Sequence, residues 1–340
     1  MNKRKNILIT GAAGTVGIEV VKQLINKDKY NITAFDVNSP NVQRKLNLYK
    51  NKISIVYGNI TNETDLVKVG ANQDVVIHLA AVIPPLADDN PTLSHQVNVV
   101  GTQNLIRQLE QHSPHAFLLY SSSISVYGDR LYTPMIAVND AIIPSDRDEY
   151  AKTKIIAEDS IRNSMLDWSI FRLGAIMGGH KISKLMFHQP LDTSLEIATP
   201  SDTARAFVNA INHQTQLSKR IFNLGGGENC RMIYADFLST SFKIFGLGKL
   251  NFHKKSFAEK NFHCGYYDDG YILNDILHFQ KDTLATYFKS EEEKVSPLKK
   301  FFISMFKSPI KWYLQKQSEP LKAYFKKDVK TMRHYFNETN

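Results

Sequence analysis

The sequence predicts an α/β fold: a doubly wound parallel sheet with helices on both faces and a small C-terminal substrate lobe. Three observations predict it. Apolar runs at residues 6–9, 31–35, 53–57, 74–81, 116–120 and 168–173 are near-continuous rather than alternating, as expected of strands covered on both faces. Segments with apolar positions at helical spacing lie between them. The first run enters a glycine-rich turn at the mouth of a helix, where the first strand of a dinucleotide-binding fold belongs.

In that turn, Gly11 permits the tight reversal, Gly14 lets backbone approach a pyrophosphate, and Gly17 lets the helix pack close to the strand. The helix N-terminus then faces the phosphates. The second run delivers Asp36 roughly twenty residues on, as ribose recognition requires. Its carboxylate accepts from a free 2′-hydroxyl and repels a 2′-phosphate, which favours NAD; Arg44 leaves NADP open. The third run ends at Gly58-Asn59-Ile60, and the fourth in Ala80 and Ala81, small enough for a cofactor to lie close. Asn98 opens a helix, and the fifth run continues into Ser121-Ser122-Ser123. After a loop with Pro134 and Pro144, residues 148–158 read as a helix that carries Tyr150 and Lys154 on one face. Residues 221–224, before Gly225-Gly226-Gly227, read as a return to the sheet. The expected organisation is a Rossmann domain over 1–178 with 200–225 returning to it, a substrate lobe from 179–199 and 226–290, and a basic amphipathic helical tail over 291–340.

The 340 residues, 43% hydrophobic and 11% aromatic, suffice for a sizeable core. The net charge of +9 is concentrated: residues 294–333 hold 11 Lys and Arg against 2 acids, and the body is formally neutral. That balance argues against a nucleic-acid enzyme. Cys230 and Cys264 make no disulfide framework, the first strand follows Met1-Asn2-Lys3-Arg4-Lys5 directly, and no apolar stretch reaches the roughly 20 residues of a membrane span, so a cytoplasmic protein is expected. His180, His188, His253, His263 and Cys264 match no closed zinc spacing, and no metal is expected.

A strand-end serine hydroxyl with a Tyr and Lys one helical turn apart suits hydride transfer with a nicotinamide while a proton moves on the same oxygen. An unperturbed phenol, near pKa 10, is too weak an acid for this, and the Lys154 ammonium, helped by the positive nicotinamide ring of the cofactor, is expected to bring Tyr150 toward neutrality. At this point the chain resembles the extended short-chain dehydrogenase/reductases, the NAD-dependent epimerase/dehydratase family. The resemblance runs through TGAAGTVG, Asp36, Gly58-Asn59-Ile60, HLAA, NVVGTQNL, SSSISVYG, YAKTK, PSDTARAF and NLGGGE, over about residues 5–230. It implies Ser123 as catalytic hydroxyl, Tyr150 as acid/base and Lys154 as its partner. Thr15, Val16, Asp36, Asn59, Ile60, Leu79, Ala80, Ala81 and Asn98 fall on its cofactor-contacting positions. Asn59 replaces a usual Asp beside the adenine, and its amide oxygen can still accept.

Four departures from the family pattern narrow the reaction. Ile124 and Ser125 stand where 4,6-dehydratases of the family carry an Asp-Glu pair. Gly174-Ala175 stand where its nucleotide-sugar enzymes usually have an Asn. The stretch between Gly178 and Asp202 is short, and Arg205, Arg220 and Arg231 are few for clamping a diphosphate. The expected function is therefore NAD-dependent oxidation or reduction of a small secondary alcohol or ketone. The alternatives are a sugar epimerase that retains its NAD and, from another class, an idle NAD-binding scaffold, against which Ser123, Tyr150 and Lys154 argue. His188, His263 and Tyr266 are further candidates for the lobe side of a substrate pocket. A homodimer is expected. Leu298, Phe301, Phe302 and Met305, then Leu321, Tyr324, Phe325, Met332, Tyr335 and Phe336, recur at helical spacing in the tail, punctuated by Pro309 and Pro320. Packing of these apolar faces on the lobe or a second subunit is the preferred reading, with peripheral contact to an anionic membrane as the alternative.

Overall fold

The computed structural model describes residues 4–178 and 184–338. In chain order its strands are β1 (Lys5–Thr10), β2 (Tyr30–Asp36), β3 (Ser54–Tyr57), β4 (Val75–His78), β5 (Phe117–Ser123), β6 (Met135–Ile136), β7 (Asp167–Leu173), β8 (Ala175–Ile176), β9 (Ser194–Ala198), β10 (Arg220–Leu224), β11 (Arg231–Ile233) and β12 (Tyr266–Tyr267). Seven of them form one sheet in the order β10-β7-β5-β4-β1-β2-β3, every neighbouring pair parallel. The chain winds outward from β1 in both directions, so the order reverses between β1 and β4. That switch point leaves a crevice at the carboxyl ends of the strands.

Side-chain alternation along the strands explains the near-continuous apolar runs. Ile7 and Ile9 of β1, Val75 and Ile77 of β4, and Phe117 and Leu119 of β5 enter one core. Leu8, Val76, Leu118 and Tyr120, the intervening positions, enter the other. Each of these side chains is stabilised by roughly 1.5–3 kcal/mol relative to exposure, on both faces of the sheet. The helices Thr15–Lys27 and Pro200–Ala210 cover one face, and Gly101–His112 and Glu149–Arg162 the other.

A second, three-stranded sheet in the order β11-β9-β8 is built from residues after β7. It packs on a core containing Phe187, Leu195, Ile197, Tyr234, Phe237, Phe242 and Phe257. The two-residue pair of β12 with β6 joins this lobe to the loop beyond β5.

The tail forms the helices Leu284–Glu293, Pro297–Met305, Lys307–Gln315, Glu319–Lys326 and Val329–Tyr335. Thr283, Ser296, Ser318 and Asp328 cap four of them, each side chain accepting a backbone N–H of the first turn. Pro297 and Pro320 sit in first turns, where a missing N–H costs nothing. The expectation that the apolar faces pack inward holds for one end of the tail only. Ala323, Met332, Tyr335 and Phe336 are buried with Ala258 of the lobe, and Leu314 joins the lobe core. Leu298, Phe301, Phe302 and Met305 are exposed.

Candidate active site

The crevice at the switch point starts at the glycine turn. Gly11 has φ +69°, and a Cβ there would lie 2.7 Å from the Ala80 backbone nitrogen. A Cβ on Gly17 would lie 2.2 Å from the Gly11 carbonyl oxygen. These positions therefore admit nothing larger than glycine, and the loop hugs the end of β4. The Thr15–Lys27 helix begins with no side-chain cap and no acid in its first turn, which leaves its leading amides for an anion. Asp36 ends β2 beside this turn. Its carboxylate accepts from Ala13 N at 2.8 Å and Val37 N at 2.7 Å, and about two of its four acceptor sites remain for ribose hydroxyls. Burial raises its pKa, against those two amides and Lys45, which lower it. Arg44 points elsewhere, donating to Asn41.

From the turn a cavity of about 360 Å³ runs past Leu79, Ala81 and Pro84 to Ser123, Tyr150, Lys154 and His263. Asp148 caps the helix that carries the Tyr and Lys, its Oδ1 accepting from Ala151 N at 2.8 Å. Lys154 is 2% exposed, and its ammonium donates to the Ser121 carbonyl at 2.8 Å. It lies 5.7 Å from the Tyr150 ring centroid and 4.7 Å from that of Tyr120. Burial pushes its pKa down to about 7, with Glu158 opposing.

The Tyr150 phenol lines the same cavity as Lys154. Burial drives the phenol well above its ordinary value and Asp148 adds to this, while a hydrogen bond with Ser123 opposes them.

Other expected cofactor positions separate into two groups. Gly14, Thr15, Val16, Leu79 and Ala81 line the cavity, and Ala80 presents its backbone to Gly11. Ile60 lies in the core beneath β3 and β4. Asn98 is 1% exposed, and its amide is used up: Oδ1 accepts from Val82 N at 2.8 Å, and Nδ2 donates to Val82 O, Ser94 Oγ and Thr153 Oγ1. It fastens the loop after β4 to the Tyr150 helix instead of facing the crevice. The exposed Asn59 accepts from Thr61 N at 3.0 Å and closes its own turn.

Behind the cavity lies a network that motif reading missed. Glu158, one turn after Lys154, pairs with Arg172 of β7 through Nε–Oε1 at 3.0 Å and Nη2–Oε2 at 2.8 Å, both side chains 3% exposed. Ser122 donates to the same carboxylate. Arg172 continues to the Tyr127 hydroxyl, which donates to Asn223, which donates to Asp269. The available signal was the four-residue step from Lys154 to Glu158, which places a carboxylate on the buried helix face.

The lobe contributes His263, whose Nδ1 lies 2.9 Å from Asp148 Oδ2. Desolvation opposes ionisation of Asp148, but the His263 charge and hydrogen bond, with the Ala151 amide, carry its pKa below the ordinary range. His188 is not in this cavity; it pairs with Glu319 of the tail at 3.0 Å in an adjoining vestibule. Tyr266 lies under Arg231, and His180 lies outside the described residues. No cluster of three His, Cys, Asp or Glu capable of holding a metal occurs among the described residues.

Sheet order, glycine turn and strand-end serine with the Tyr-Lys helix together define a doubly wound dinucleotide-fold protein of the Rossmann class. Residues 8–169 match the 3-beta hydroxysteroid dehydrogenase/isomerase family model. An uncharacterized membrane protein of Methanocaldococcus jannaschii is 33% identical over 36% of this chain and 38% of its own length. The D-erythronate dehydrogenase of Cupriavidus necator is 24% identical over 65% of this chain and 77% of its own. The crystal structure of UDP-glucuronic acid 4-epimerase from Bacillus cereus, in complex with UDP-glucuronic acid and NAD, superposes with a TM-score of 0.71 at 21% identity, covering 85% of this chain and 98% of that one. The chain thus spans little more than a third of the first relative and about three quarters of the second. The family match therefore spans just under half of this chain, and the solved structure shares its fold.

Proposed function

We propose that this chain is an NAD-dependent oxidoreductase that reversibly transfers hydride to or from a secondary alcohol or ketone on a small substrate, with Ser123, Tyr150 and Lys154 at the reacting oxygen. The observation that carries the reading is that all three line one cavity with the glycine turn. The turn fits the cofactor: Gly11 and Gly17 have no room for a Cβ, the helix start is uncapped, and Asp36 keeps free acceptor sites. Gly11, Gly14, Thr15 and Asp36 would hold NAD, whose contribution when bound is the hydride acceptor or donor.

Ser123 holds the substrate oxygen, and Tyr150 moves its proton. With the phenol raised by burial, the chain's own groups keep Tyr150 a proton donor, the state that reduction of a carbonyl needs. Lys154, brought to about 7, holds or releases its own proton near neutrality.

Absence of a diphosphate on the substrate is supported by where the arginines go. Arg205 is bound to Asp202 and the Phe279 carbonyl, Arg231 to Glu196 and the Tyr267 carbonyl, and Arg172 to Glu158. None of the three lines the cavity.

The test is a screen of secondary alcohols, uronates, sterols and nucleotide sugars for net NADH change, repeated with Tyr150→Phe. The variant is expected to lose turnover by about a thousandfold while binding NAD within a few-fold. Retained activity would remove Tyr150 from the chemistry. Interconversion of sugar epimers without net NADH change would replace the oxidoreductase reading by the epimerase one.

A further inference from the structure

We propose that the tail helices Pro297–Met305, Lys307–Gln315 and Glu319–Lys326 form an interfacial face that seats the protein on an anionic lipid bilayer. This goes beyond the hydride-transfer reading and does not depend on it.

The exposed aromatics are gathered in one stretch of the chain. Every strongly exposed Phe or Trp among the described residues, namely Phe301, Phe302, Phe306, Trp312 and Phe325, belongs to these helices or their junctions. On the first helix, Leu298, Phe301, Phe302 and Met305 follow the i, i+3, i+4, i+7 pattern of a buried stripe, yet are 50–66% exposed. Only Ile303 of that helix packs toward the lobe core. The larger apolar face of the helix therefore points away from the protein, the reverse of what folding alone selects.

Trp312 and Phe325 stand exposed on the next two helices. Between them lies a groove of about 430 Å³, floored by Leu321 and flanked by Lys316 and Lys322. Lys316 Nζ stands 3.6 Å from the Trp312 ring centroid. Aromatic rings at the depth of lipid headgroups, with lysines whose stems lie along them and whose ammonium groups reach outward, are the composition of an in-plane membrane helix.

Charge identifies the occupant. Residues 294–333 carry 11 basic side chains against 2 acids on an otherwise neutral protein. Lys299, Lys307, Lys316 and Lys322 on these helices are exposed. A second copy docked on the same patch about a two-fold axis would set these lysines against themselves, which an isologous interface disfavours. An anionic lipid surface supplies opposite charge and an apolar phase together. No helix among the described residues is long and apolar enough to cross a membrane, so the contact lies in the interface plane.

The experiment is flotation of the full-length protein with vesicles of phosphatidylcholine alone and of phosphatidylcholine with about one-third phosphatidylglycerol, over a salt series. Two surface variants accompany it: Lys299→Glu with Lys307→Glu and Lys322→Glu, and Phe301→Ser with Phe302→Ser and Trp312→Ser. The wild type is expected to float with the anionic vesicles and to be released as salt rises. At about fivefold in affinity per lysine, the triple charge reversal should weaken binding about a hundredfold or more. The aromatic variant should lose binding at low salt too. Wild-type protein left in the soluble fraction, or floating equally with neutral vesicles, would overturn the proposal. So would dissociation of a dimer by the aromatic variant without any flotation, or a nucleic-acid complex abolished by charge reversal in its place. Should a variant melt differently from the wild type, the wild-type salt series and the lipid comparison decide by themselves.

Discussion

Replacing Lys154 by Met should abolish turnover and, below neutral pH, make the protein more stable. Lys154 is 2% exposed and burial pushes its pKa down to about 7, against 10.5 for an ordinary lysine. At about 1.4 kcal/mol per unit, carrying that proton in the folded state costs about 5 kcal/mol at pH 6. Methionine removes this cost at similar volume. It also loses the hydrogen bond to the Ser121 carbonyl and the contacts with the Tyr120 and Tyr150 rings, about 2–3 kcal/mol together. The net gain is about 2 kcal/mol at pH 6, or a Tm higher by about 3 °C for a chain of 340 residues. The pH dependence follows from the depressed pKa. Between about 7 and 10.5 the unfolded chain binds the proton and the folded chain does not, so wild-type stability rises with pH across that window. The advantage of Lys154→Met should therefore shrink to about zero by pH 9. Thermal melts of both proteins at pH 6 and pH 9 test this, with a turnover assay alongside. A variant that melts below the wild type at pH 6, or a difference that does not shrink with pH, would refute the picture of a lysine buried at an energetic cost for the sake of function.

Glu158→Gln leaves the buried Arg172 charge uncompensated and should cost about 3 kcal/mol, with a Tm lower by about 4 °C. Pairing it with Arg172→Met should recover much of that loss in thermal melts, and failure to recover would mean that Arg172 is held chiefly by Tyr127 and the Val138 carbonyl. Asp36→Ala should shift the NAD to NADP preference toward NADP by about tenfold, measured as the ratio of binding constants, because about 1.4 kcal/mol of charge repulsion is removed. An unchanged ratio would assign ribose reading to another group.

The sequence by itself determined the strands, the glycine turn and the placement of Tyr150 and Lys154, because these depend on local pattern. An apolar run with no alternation is buried on both faces wherever it pairs, and two residues four apart on a helix share a face in any fold. Asp36 was legible for the same reason, as the end of the strand after the turn. What only the tertiary structure decided concerns groups that meet across the chain. Asn98 looked like a cofactor contact until Val82 and Thr153 were seen to take up its amide. The burial that raises the Tyr150 phenol and lowers the Lys154 ammonium depends on everything packed around each group, which no local pattern states. The tail shows the same division. Its periodicity announced amphipathic helices, but whether an apolar face turns inward depends on what stands opposite. The lobe offers a surface to Ala323, Met332 and Phe336 and none to Phe301, Phe302 and Trp312.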